Sequence, residues 1–157
     1  MPPLAPGAKL PPFSIQATQS GKTVDNALFA GRRTLLILHG PKTADAAKEA
    51  SKAVRSKWTS EEVALASIVD LRAFSGLFQR IANAQLKVTY DKLAEKAKAA
   101  GLDPTAEVLI CPDWDGSVCA KLGAEKPDEA ATFLCVGAEG NVLAACSSVA
   151  EAVSRLG

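Results

Sequence analysis

The segment Thr34-Leu35-Leu36-Ile37-Leu38-His39 is the strongest constraint on what this chain can fold into. It is a short, uninterrupted apolar run stopped by Gly40-Pro41. A strand exposed on one side alternates apolar and polar residues; a run without alternation belongs to a strand covered on both faces, as in sheets flanked by helices. A second such run follows at Val63-Ala64-Leu65-Ala66-Ser67-Ile68-Val69 and a third at Val108-Leu109-Ile110-Cys111, which ends at Pro112-Asp113. The segment Ala44 to Trp58 has helical periodicity between the first two, with Ala47, Ala50 and Val54 on one face and Lys48, Lys52, Arg55 and Lys57 around the rest.

The remaining elements follow by the same rules. Residues 1–12 hold Pro2, Pro3, Pro6, Pro11 and Pro12 and form an extended lead-in. Phe13 to Thr18 alternates, Ser20-Gly21-Lys22 turns, and Thr23-Val24 returns, predicting an N-terminal hairpin. Residues 73–100 are rich in helix formers. Leu77, Ile81 and Leu86 mark one apolar stripe, and Val88, Leu93 and Ala97 mark a later one. Thr89-Tyr90 lies between them, so two helices or one bent helix are expected, with Gly101 as C-cap. A short helix is expected over Ser117 to Leu122. A terminal hairpin follows, Thr132 to Val136 turning at Ala138-Glu139-Gly140-Asn141 into Val142 to Cys146, and a final helix spans Val149 to Leu156.

Helical crossovers between buried strands make parallel units, and the terminal hairpin adds an antiparallel edge. The expectation is an α/β chain with a thioredoxin-like fold: a central mixed sheet of about five strands flanked by helices, with an N-terminal hairpin and a helical insertion at 73–100. The 157 residues are read as one domain, 1–157. A flavodoxin-like sheet, the competing architecture, is purely parallel, and Gly140-Asn141 between two apolar runs argues against it.

Charge excludes some partners. The chain has 18 basic and 17 acidic residues, a formal net charge of +1, which offers no electrostatic reason for nucleic acid or an anionic membrane. Its apolar runs are too short to cross a bilayer. The N-terminus has no basic region followed by an apolar one, so the default expectation is a cytoplasmic protein, or a periplasmic one if this is a mature form. The partner, protein or small molecule, and the oligomeric state are not legible.

Chemistry-bearing residues are few. The four cysteines, Cys111, Cys119, Cys135 and Cys146, include no Cys-x-x-Cys pair, and His39 is the single histidine, so no metal and no cofactor is expected. Cys111 ends a strand and Cys119 sits on the next helix. The pair could approach within disulfide range, or be two inert core residues. Cys135 and Cys146, on facing strands of the terminal hairpin, read as core. His39 ends a central strand: a general base or ligand, or a partly exposed strand-end histidine. Lys42 and Thr43 precede a helix, where backbone donors hold an anion or Thr43 simply caps. Asp113-Trp114-Asp115 reads as a surface turn with a helix cap, with a cation site as the alternative.

The order of motifs also resembles the redoxin branch of the thioredoxin-like superfamily, peroxiredoxins and membrane-tethered thioredoxin-like proteins. Pro6-Gly7 through Leu10-Pro11-Pro12-Phe13, then Ser20 to Val24, Thr34 to Leu38, Asp113 to Gly123 and Val136 to Gly140 are similar to successive segments of that branch. The resemblance implies a catalytic Thr-x-x-Cys just after the strand at 34–39, where the helix N-terminus and the threonine hydroxyl stabilise thiolate and peroxide. Thr43 matches, but Ala46 occupies the nucleophile's place, and no cysteine lies between Met1 and Ile110. The cis-proline of that branch is also missing. Its aligned position falls near Ala131, with Pro127 too far upstream. In both losses, and in the helical insertion, the chain resembles the YtfJ-type family of bacterial thioredoxin-like proteins. The resulting expectation is a redox-inactive binding or interaction module that uses the loop from His39 to Thr43 or the inserted helices. The alternative is an atypical thiol oxidoreductase or peroxidase using Cys111 and Cys119; a third possibility is a carrier with a pocket between sheet and insertion.

Overall fold

The computed structural model describes residues 4–74 and 76–157. The strands are β1 (Ser14–Gln16), β2 (Thr23–Asp25), β3 (Arg33–His39), β4 (Val63–Asp70), β5 (Ile110–Asp113), β6 (Thr132–Val136) and β7 (Val142–Cys146). The helices are α1 (Ala44–Arg55), α2 (Phe78–Ala99), α3 (Pro104–Glu107), α4 (Ser117–Lys121) and α5 (Val149–Leu156). β1 and β2 form a separate antiparallel hairpin, and the main sheet has the order β5-β4-β3-β6-β7. β3, β4 and β5 run parallel; β6 and β7 are antiparallel.

β3 is central because its side chains are apolar on both faces. Leu36 and Leu38 join Ala66, Ile68, Leu134 and Val136 in a layer beneath the N-terminal hairpin and α4. Leu35 and Ile37 join Val63, Phe133 and Cys135 in a layer covered by α1 and α5. α1 buries Ala47, Ala50 and Val54, the face its periodicity marks. Between β6 and β7 the chain reverses at Gly140, whose φ of +86° is one that L side chains rarely adopt. The lead-in is tied to this hairpin rather than free: Gly7 N donates to Val142 O, and Leu10 N donates to Gly140 O.

Two expectations change and one is narrowed. Of the two alternatives for this segment, a single helix forms over residues 78–99, so Thr89-Tyr90 does not divide it in two. Its buried residues are Ala82, Leu86, Ala94 and Ala97, of which Ala82 and Leu86 pack with Val69, Leu71, Val108 and Ile110, whereas Leu77, Ile81 and Val88 are exposed. Hydropathy alone does not choose between two apolar stripes on one cylinder. The third strand begins later than its apolar run, at Ile110, because Pro104–Glu107 forms a short helix, with Asp103 Oδ1 accepting from Thr105 N. No helix of the described residues is long and apolar enough to cross a membrane.

Candidate functional site

In a sheet of this topology, clefts form beyond the carboxyl ends of the parallel strands. β3 and β4 end at His39 and Asp70. Beyond them lies an open cleft of about 630 Å³, bordered by Lys42, Thr43, Asp70, Arg72, Lys126 and Asp128 among others. A smaller, mainly apolar cavity of about 260 Å³ lies against Leu10, Phe29, Leu36 and Val136, beside the lead-in and the β6–β7 turn.

One wall of the cleft is the turn 40–43. Gly40 N donates to Thr43 Oγ1 (2.9 Å), and the Thr43 hydroxyl donates to Pro127 O (2.7 Å). Thr43 stands at the N-cap position of α1 without capping it by its side chain. Its hydroxyl is spent on closing the turn and on holding the opposite loop, so the simple capping role does not apply. Asp128 meets the turn from that loop: Lys42 N donates to its Oδ1 at 2.8 Å. A Cβ added at Gly40 would lie 2.3 Å from Asp128 Oδ1 and 2.7 Å from its Cα. The extended φ of Gly40, −115°, suits any residue, so the requirement for glycine there is the close approach of Asp128 alone.

His39 is 7% exposed, buried rather than partly exposed as a strand-end residue would be. Its Nδ1 lies 2.9 Å from Gly40 O. A carbonyl only accepts, so the proton of the neutral ring belongs on Nδ1. Burial pushes its pKa below the ordinary value, against the opposing pull of the Gly40 carbonyl and the Asp128 charge. The unfolded chain therefore takes up a proton near pH 6.5 that the folded chain resists. His39 should support stability above about pH 6.5 and lose that contribution as the pH falls toward the lower folded value. The urea midpoint of the native protein should decline relative to that of His39→Gln between pH 7.5 and 5; a constant difference across that range would refute the assignment.

The other wall carries a buried carboxylate with a partner of its own. Asp70, at the end of β4, accepts from Arg72 Nη2 at 2.7 Å, from Arg72 Nε at 3.0 Å and from Arg72 N at 3.0 Å. The guanidinium also donates to Glu125 O at 2.5 Å, which ties the end of β4 to the chain leading into the 126–129 loop. The Asp70 carboxylate holds the Arg72 pKa above its usual value. Asp113, opposite Asp70 in the β4–β5 register, is 3% exposed. It accepts from Cys119 N at 2.8 Å and from Val118 N at 3.3 Å, serving the first turn of α4. The surface-turn description therefore fits Asp115, which accepts from Ser117 N (3.0 Å), and not Asp113. Trp114 is half-buried against the α2 layer rather than exposed. No group of three or more His, Cys, Asp or Glu among the described residues is placed to hold a metal ion.

All four cysteines are free and buried. Cys111 and Cys119 belong to the layer beneath the N-terminal hairpin, and both are 0% exposed. Burial pushes the Cys111 thiol up to about 12. The Cys119 thiol is pushed up further by burial and by the Asp113 carboxylate beside it. Cys135 rises to about 12 by burial, and Cys146 rises for the same reason. Among the described residues no peptide bond is cis, Ala131 and Pro127 included. The residue that periodicity could not reveal is Asp128: its partner Lys42 is 86 positions away, and nothing in the local pattern of Lys126-Pro127-Asp128-Glu129 announces the contact.

No protein-family model matches the sequence, and no curated protein does. Solved structures do. A protein described as the thiol:disulfide interchange protein DsbE of Chlorobium tepidum superposes with a TM-score of 0.65 at 14% identity, covering 98% of this chain and 99% of that one. The pneumococcal exposed lipoprotein thioredoxin Etrx1 of Streptococcus pneumoniae gives 0.62 at 12% identity, covering 92% and 98%. StoA of Bacillus subtilis gives 0.62 at 10% identity, covering 96% and 99%. At such identities the likeness is one of architecture, and with the mixed sheet and its flanking helices it establishes that this chain has the thioredoxin-like fold.

Proposed function

We propose that this chain is a redox-inactive thioredoxin-fold binding module that holds a protein or small-molecule partner in the cleft between the joined 40–43 turn and 126–129 loop on one side and the end of β4 on the other, with Lys42 and Thr43 on its wall and His39 buried at the start of that turn. The observation that carries this reading is the Asp128 carboxylate on Lys42 N. In the redoxins that the sequence resembles, this turn and the helix after it favour an anionic sulfur. Here Ala46 stands in the nucleophile's place, and the chain's own carboxylate already engages the Lys42 amide. Thiolate chemistry needs an exposed, low-pKa sulfur, and every thiol in the chain is buried and pushed the other way.

The alternative, a thiol oxidoreductase using Cys111 and Cys119, requires one of those sulfurs to be exposed and acidic. The test is native thiol labelling followed by brief peroxide exposure, with each cysteine assigned by mass spectrometry. None of the four should react until denaturant is added, and peroxide or disulfide turnover should be the same for the native protein and for a Cys111→Ala, Cys119→Ala variant. Fast reaction of either thiol followed by a Cys111–Cys119 disulfide overturns the proposal and makes the oxidoreductase reading the better one.

A further inference from the structure

The inserted helix α2 has a second apolar stripe that the fold does not use. At 3.6 residues per turn, Leu77, Ile81, Ala84 and Val88 fall about 140–180° around the helix from the buried Leu86. Leu77 is 86% exposed, Ile81 57% and Val88 48%, and Phe78 beside them is 59% exposed. The spacing of four, three and four residues is that of a helix-on-helix seam, about three turns long, rather than of scattered surface apolar residues.

The flanks of the seam are net basic, with Asp91 the one acidic residue beside them. Arg80 and Lys87 border it on one side, and Phe78, Gln85 and Lys92 on the other. No acidic residue occurs from Phe74 to Tyr90. Asp91 is the first, and it is engaged by Lys87 Nζ at 2.6 Å. These flanks decide between occupants. A second copy of this helix would bring Arg80 and Lys87 against Lys87 and Arg80 when antiparallel, or Lys87 against Lys92 when parallel, and like charges at such positions disfavour pairing. An amphipathic helix with acidic flanks meets the seam with its apolar residues and the rim with opposite charge.

We propose that the outer face of α2 is a docking surface for an amphipathic helix of another protein whose apolar stripe is flanked by Glu or Asp. This surface is separate from the cleft and does not depend on the reading of the cleft. The probe is a designed 21-residue helical peptide with Leu and Ile at its seam positions and Glu at the flanking positions, compared with the same peptide carrying Lys there. Binding to the full chain is followed by fluorescence anisotropy, and the site is located by amide shifts.

The Glu-flanked peptide should bind at least about tenfold more tightly than the Lys-flanked one, and more weakly as salt rises. Ile81→Glu and Val88→Glu, at exposed positions that leave the circular dichroism unchanged, should each weaken it by about tenfold or more. Arg80→Glu combined with Lys87→Glu should invert the preference between the two peptides. Equal binding of both peptides overturns the proposal, as do shifts that fall elsewhere. Self-association of the chain that Ile81→Glu abolishes, or binding to phosphatidylserine vesicles with no binding of either peptide, overturns it in favour of a second copy or a lipid surface.

Discussion

Gly40→Ala is expected to lower the stability of the native chain by about 1–3 kcal/mol, the usual cost of forcing a methyl group into a filled site. The methyl group has no unoccupied space to enter, because it would lie 2.3 Å from Asp128 Oδ1 and, more tellingly, 2.7 Å from Asp128 Cα. A flexible side chain could swing aside, but backbone cannot, so the 126–129 loop must retreat. That retreat lengthens the Lys42 N to Asp128 bond and the Thr43 to Pro127 bond together. In a chain of this size the loss corresponds to a fall in melting temperature of roughly 3–10 °C. Differential scanning calorimetry measures it, and amide shifts at Lys42 and Thr43 place it. An unchanged melting temperature with unchanged amides would mean that the two loops are not in contact in solution. Asp128→Ala in the Gly40→Ala background should recover part of the loss, since it removes the carboxylate that the methyl group strikes.

Arg72→Met is the second large effect. Asp70 is 6% exposed, and its carboxylate oxygens accept from three nitrogens of Arg72. The methionine variant keeps the aliphatic stem and the backbone donor and removes the fork, so a buried anion loses its charged partner. Breaking a buried pair in this way costs about 3–5 kcal/mol, and because water reaches the guanidinium side we expect about 2–3 kcal/mol here. Arg72→Lys should fall between the two, retaining charge without the bidentate geometry. Urea unfolding of the three proteins gives the order native, lysine, methionine; equal midpoints for native and methionine variants would show that Asp70 is satisfied without Arg72. Loss of the fork also releases the bond to Glu125 O, so the 126–129 loop should show faster amide exchange.

The two halves of the molecule differed in how much could be read in advance. β3, β4 and β6 are legible because burial of a strand on both faces leaves an apolar run, and Gly40-Pro41 and Gly140-Asn141 mark where such runs stop, the latter turning the chain into β7. α1 is legible because its apolar face is single. α2 is not, because it carries two apolar stripes, and the one with larger side chains, Leu77, Ile81 and Val88, is the exposed one. The layer at the β4–β5 edge takes Ala82 and Leu86 instead, a choice of shape and position that hydropathy does not contain.

The same division runs through the candidate site. That a turn with Thr43 but no cysteine stands at the end of the central strand follows from residue identities alone, and so does the absence of a Cys-x-x-Cys pair. What holds that turn does not. Asp128 reaches Lys42 and Arg72 reaches Glu125 O only after the crossovers have brought segments tens of residues apart to one end of the sheet. Secondary structure and the order of elements are set by neighbours in sequence, through propensity and periodicity. The polar contacts that close the cleft are set by chain topology, which decides which backbone donors stand unsatisfied beside which carboxylates.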